Sequence, residues 1–157
     1  MSPFDDAAIA ARLAELGLQM PPPPPPSANY VGAVQEGKLL FVSGQGPVFP
    51  GGYHHGKVGA EVSIEQAYEH ARVTTLNLLS VMRQELGSLS RVRRIVKILG
   101  MVNAAPDFVA HPLVINGCSD LLVSLFGEHG RHARSAVGMG SLPGQITVEI
   151  ELIAAID

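Results

Sequence analysis

Ala133-Arg134-Ser135-Ala136-Val137-Gly138-Met139-Gly140, followed by Leu142-Pro143-Gly144-Gln145-Ile146-Thr147-Val148-Glu149-Ile150-Glu151-Leu152, is where the chain declares its fold. Both segments alternate with period two, the mark of a half-buried strand, and the Pro-Gly pair between them reads as the turn of a hairpin. On the first strand Arg134, Ala136, Gly138 and Gly140 share a face, with Ser135, Val137 and Met139 opposite. An arginine beside residues with almost no side chain leaves a floor where a small anion fits. On the second strand Ile146, Val148, Ile150 and Leu152 face one way, and Thr147, Glu149 and Glu151 the other. The expected hairpin has an apolar side for the core and a side carrying Arg134 with Glu149 and Glu151. Two readings of the charged side stand: cross-strand ion pairs contributing well under ~1 kcal/mol, or a site in which Arg134 holds a ligand.

Working outward, Val92 to Val102 alternates into another strand, and Tyr30 to Val34 and Leu39 to Ser43 form two more around a turn at Glu36-Gly37-Lys38. Ser63 with Gln66 makes a capping box that opens the clearest helix, striped by Ala67, Ala71, Thr74, Leu78 and Val81 and closed by Gly87. Asp107 is the candidate N-cap of a further helix reaching Phe126, with Pro112 in its first turns and Gly127 and Gly130 beyond its end. A first helix spans about Asp5 to Leu18, and the uninterrupted run Pro21 to Pro26 must be extended polyproline II, a stiff spacer. The order helix, two strands, helix, strand, helix, two strands predicts an α+β fold, a mixed sheet with helices packed on one face. The expected division is 1–29, helix and spacer, and 30–157, the main domain.

The 157 residues suffice for one domain with a proper core. Only 16% are charged, which favours self-association, because a chain so sparing of charge often covers part of its surface with copies of itself. A net charge of −3 gives no footprint for nucleic acid, and the cluster Arg91, Arg93, Arg94 and Lys97 reads as a solvated face or an oligomer contact. The lone Cys118, in an apolar run, is expected to be buried and inert. One cysteine and no membrane-spanning or signal segment point to a reducing, cytoplasmic setting without membrane contact. His54 and His55 are adjacent, so on extended backbone they point opposite ways, and the other histidines lack ligand spacing; no metal is expected. The Gly/Pro/His-rich stretch through Phe49 to Gly56 reads as a flexible loop that closes over something.

Three segments together resemble the Rid family, also called YjgF or L-PSP, the reactive intermediate deaminases: Tyr30-Val31 with Leu39 to Gln45, Ala133 to Val137, and Leu142-Pro143 with Val148 to Glu151. The resemblance implies a chorismate-mutase-like homotrimer with clefts between subunits. It also implies cofactor-free hydrolysis of 2-imino acids and their enamines to 2-keto acids and ammonia. By position Arg134 matches the arginine that clamps the substrate carboxylate, and Glu149 the carboxylate that handles water. Ser43 and Gly44 match the loop lining the site, Tyr30 a tyrosine at its mouth, and Asn116 a helix residue at the interface. Ala136 stands where better-studied members carry a cysteine, which widens the pocket. Two rival functions follow the same residues: a non-catalytic binding or regulatory protein for a small carboxylate metabolite, and the endoribonuclease of the L-PSP label. The ribonuclease requires a basic groove and an acid-base pair of the histidine or carboxylate type, and the acidic balance of the chain does not offer the groove.

Overall fold

Five strands form one mixed sheet in the order β1-β2-β7-β5-β6. These are β1 (Ala33–Glu36), β2 (Leu39–Gln45), β5 (Val92–Asn103), β6 (Ala133–Met139) and β7 (Val148–Ile156) in a computed structural model that describes residues 4–157. The intervening β3 (Val48–Phe49) and β4 (Gly52–Tyr53) make a separate two-stranded hairpin. Helices α2 (Ile64–Leu86) and α3 (His111–Phe126) pack on one face of the sheet. The α+β expectation is met in element order and in layering.

The alternation within β6 and β7 is as the sequence predicts, but their pairing is not. They form no hairpin: β5 lies between them, parallel to β6 and antiparallel to β7. The link across residues 140–147 passes over the end of β5 and bridges roughly 10 Å, two interstrand spacings. Period-two patterning states which way a side chain points and is silent about the neighbouring strand. Because the register is fixed, so are the faces. Arg134 is level with Ile98 and Leu152 on the face toward the helices, whereas Glu149 and Glu151 lie with Met101, Leu99, Ser135 and Val137 on the other. The expected charged side carrying all three residues therefore does not exist within one chain.

The small residues beside Arg134 do not leave an open floor either. A Cβ added at Gly138 meets His111 Nε2 at 2.5 Å, and one at Gly100 meets the Ile115 side chain. The bare strip admits α3 against the sheet, burying Ile115, Cys118 and Leu122. Helix α3 begins at His111 after Ala110, with no side-chain cap, so Asp107 does not cap it. Pro112 in the first turn costs nothing there, because its missing N–H would have no helical acceptor. The capping box of α2 is as expected: Gln66 N–H donates to Ser63 Oγ and Ser63 N–H to Gln66 Oε1, with Gly87 as the C-cap.

Helix α1 (Asp6–Glu15) is capped by Asp5, whose Oδ1 accepts from the N–H groups of Ala7 and Ala8. Ile9 and Leu13 are buried in the common core. Asp6 accepts from Ser88 Oγ and Leu89 N–H, which ties α1 to the start of β5. The proline run then lies along the body, its Pro21 carbonyl accepting from Ser80 Oγ at 2.6 Å. Among the described residues no helix is long and apolar enough to cross a membrane.

Candidate functional site

Val42 pairs with Leu152 and Gln45 with Ile150, so two residues of β2, Ser43 and Gly44, face only Glu151 of β7. This β-bulge bends the strand and re-aims what it carries. The Ser43 hydroxyl donates to the Val31 carbonyl at 2.6 Å, and its N–H to the Gly32 carbonyl, fixing the approach of the chain from Tyr30. At Gly44 an added Cβ lies 2.7 Å from Glu149 Oε2, so only glycine lets the carboxylate occupy that spot. Glu149 has no hydrogen-bond or ion-pair partner among the described residues. Burial, and then the neighbouring Glu151, hold its carboxyl above the ordinary carboxylate range.

Glu149 opens into a cleft of about 720 Å³ whose walls also include Tyr30, Ser43, Gly44, Tyr53, His55 and Glu151. Pro24, Pro25, Ser27 and Ala28, from the end of the proline run, complete it. Tyr30 is held there by Ser27, whose N–H donates to the phenol oxygen at 3.3 Å. Four of the seven residues singled out in the sequence thus meet around one cleft. No lysine or arginine lines it.

The other three lie elsewhere. Arg134 Nη1 donates to Asn116 Oδ1 at 2.9 Å and to Ser119 Oγ at 3.0 Å, and Nη2 donates to the Pro112 carbonyl at 3.2 Å. Ala136, two residues on, is packed against the core under α3. Three of the five guanidinium donors are used on uncharged oxygens, and no carboxylate of the described residues forms an ion pair with it. The cation is oriented and its charge is unanswered. Its orientation has depth: His132 Nδ1–H donates to the Gly130 carbonyl at 2.6 Å, leaving Nε2 to accept from Ser119 at 2.9 Å. Burial lowers the basicity of His132, and the adjacent Arg134 charge adds to this, which keeps the imidazole in the neutral form that relay needs. Sequence spacing gave no sign of Ser119 and His132, since they reach Arg134 only through the packing of α3.

Two side chains the sequence left unassigned become legible in the loop before α2. His54 turns inward, its ring stacked on His70 at 3.9 Å and on Phe49 at 4.4 Å. His55 turns outward to the cleft, its backbone bridged to Ile146. The opposed directions follow from their adjacency on extended backbone. The loop is thereby zipped to the segment leading into β7, with Asn77 Nδ2–H donating to the Gly46 carbonyl beneath it. Cys118 is buried beside Thr75, and burial pushes its thiol up to about 12, so it is inert as a nucleophile. No group of three or more potential metal ligands occurs among the described residues.

The family model described as YjgF/chorismate mutase-like, which carries an endoribonuclease label, matches residues 10–155. Protein TCP17 of Trypanosoma cruzi is 40% identical over 100% of this chain and 99% of its own length. The crystal structure of protein Atu1372 from Agrobacterium tumefaciens superimposes with a TM-score of 0.90 at 44% identity, covering 96% of this chain and 94% of that one. E. coli TdcF, crystallised with bound serine, is 27% identical with a TM-score of 0.57 over 86% of this chain and 94% of its own. With this match along almost its whole length, the chain belongs to the YjgF/Rid family.

Proposed function

We propose that the protein hydrolyses 2-imino acids, and the enamines in equilibrium with them, to 2-keto acids and ammonia. The observation that carries this reading is the Glu149 carboxylate, seated in the space a side chain at Gly44 would fill, without a partner and with its proton affinity raised by burial. A carboxylate in that state accepts a proton from water closer to neutrality than an exposed one does. Attack of that water on the C=N carbon forms the C–O bond and moves the π pair to nitrogen. Collapse of the resulting carbinolamine expels ammonia. The intrinsic barrier is low, so positioning and proton transfer are sufficient and no cofactor is required.

Substrate fixing falls to Arg134, whose planar guanidinium suits a carboxylate and whose charge is not titrated away. Since Arg134 and Glu149 stand on opposite faces of one sheet, the reading requires the arginine of one copy to meet the Glu149 cleft of another. The trimer that the family resemblance implies is the assembly proposed to bring the two together. That a family relative is crystallised with serine, a small carboxylate-bearing amine, supports a ligand of this class. The endoribonuclease reading draws on the family label, but a cleft carrying Glu149 and Glu151 and lined by no lysine or arginine does not favour a polyanion.

The test generates 2-iminopropanoate and 2-iminobutanoate in situ with an amino-acid oxidase and follows their disappearance. Wild type accelerates the loss, and Arg134→Ala does not. Equal behaviour of the two proteins removes the deaminase reading while leaving the fold assignment intact. A binding-only protein is recognised by Glu149→Gln that retains ligand affinity alongside a wild type without turnover.

A further inference from the structure

Expelling ammonia from a carbinolamine needs a proton on the departing nitrogen, because an amide anion is not a viable leaving group. Glu149 holds the proton taken from water after the attack and can return it, but a second donor at the nitrogen spares one carboxyl from serving both atoms. Two of the hydroxyls that line the cleft are already committed. The Ser43 hydroxyl spends its proton on the Val31 carbonyl, and the Tyr30 phenol is tied to Ser27. A phenol also gives up its proton far less readily than an imidazolium.

His55 is differently placed. Its Nδ1 lies 2.8 Å from the Gly144 carbonyl oxygen, which can only accept, so Nδ1 carries a hydrogen. That bond persists whether or not the other nitrogen is protonated, and it leaves Nε2 without a partner among the described residues. The residue is held rigidly relative to Glu149: His55 bridges to Ile146, Gly56 N–H donates to the Gln145 carbonyl and Thr147 N–H to the His54 carbonyl. The same segment enters β7 at Val148, one residue before Glu149. His55, Gly144, Ile146 and Glu149 all line the one cleft.

We propose that His55 is a second proton-transfer residue of this cleft, delivering from Nε2 the proton that carries the substrate nitrogen away. The inference rests on the deaminase reading of the same site. The balance closes. Water gives its proton to Glu149 as the C–O bond forms on the iminium carbon, yielding a neutral carbinolamine. The His55 imidazolium then protonates the amine. The C–N bond breaks with its pair leaving on ammonia, a hydroxyl oxygen pair forms the C=O bond, and the hydroxyl proton returns to His55 Nε2. Ammonia takes the proton held by Glu149 and departs as ammonium, so both side chains end as they began.

Two variants test this with the in situ imine assay. His55→Asn keeps an amide N–H for the Gly144 carbonyl but has nothing in place of Nε2, and His55→Gly opens space for added imidazole. The expected result is a fall in kcat on the order of 10²-fold for both, with KM moved less than about twofold and turnover of His55→Gly restored by imidazole. His55→Asn turning over at the wild-type rate overturns the proposal. So does a loss that imidazole does not relieve and that tracks a lowered melting temperature, which makes His55 only a loop anchor. Failure of the underlying reading looks different: there wild type itself matches Arg134→Ala, and the role of His55 falls with it.

Discussion

At Gly44 and Glu149 the chain accepts a cost to keep a carboxylate where it is. The carboxyl binds its proton more tightly folded than unfolded, so between the ordinary value and the raised one the folded state holds the extra proton and stability falls as pH rises. Above that window the ionised group is a constant burden. Glu149→Gln is therefore expected to melt higher than wild type at neutral pH, with the advantage shrinking as pH falls toward the ordinary carboxylate range, while turnover is lost. Gly44→Ala puts a methyl group 2.7 Å from Glu149 Oε2 and is expected to reduce turnover by tenfold or more, with the fold retained by circular dichroism. His70 shows the opposite sign. Burial, and then the nearby His54, lower it to about 4, so the stability it contributes is present above the usual histidine value near 6.5 and is lost as pH falls toward 4. Acid titration of the melting temperature checks this: His70→Gln should flatten the decline in that window. Much at this scale was legible in the sequence. Ser43, Gly44, Tyr30 and Glu149 line one cleft, Arg134, Asn116 and Ala136, grouped with them by the resemblance, lie elsewhere in the chain, and His55 stayed hidden because its neighbour shares its chemistry and only the fold tells inward from outward.

The elements carry their own expectations. Ser63→Ala removes one half of the α2 capping box and should cost about 1 kcal/mol in urea unfolding. An unchanged midpoint contradicts the role of the cap. The proline run both spans from α1 to the sheet and walls the cleft through Pro24 and Pro25. Replacing Pro21 to Pro26 with glycine and serine should lower stability by roughly 0.5 kcal/mol per proline through the freed unfolded chain. It should also expose the connection to limited proteolysis. Strand and helix identities were readable from period and caps. Partnership was not: the alternation of β6 and β7 is blind to β5 slipping between them, and the start of α3 was missed because an uncapped helix beginning with His-Pro carries no polar signal at its first residue.

For the whole molecule, the face of the sheet away from the helices leaves Val34, Phe41 and Val137 substantially exposed, at 52%, 42% and 38%. Lys97, Leu99, Glu151 and Ile153 line a depression of about 410 Å³ among them. Apolar side chains on an open sheet face, in a chain with so few charges, fit burial against further copies. That burial is also what the proposed chemistry needs, since one chain keeps its guanidinium and its water-handling carboxylate on opposite sides of a single sheet. Complementation tests this directly. Arg134→Ala and Glu149→Gln, each inactive alone, are co-expressed and the mixed oligomers assayed for imine hydrolysis. If each site takes its arginine from one copy and its glutamate from another, random assortment leaves roughly a quarter of the sites whole, and activity returns to about that fraction of wild type. Mixed oligomers as inactive as either parent contradict the account.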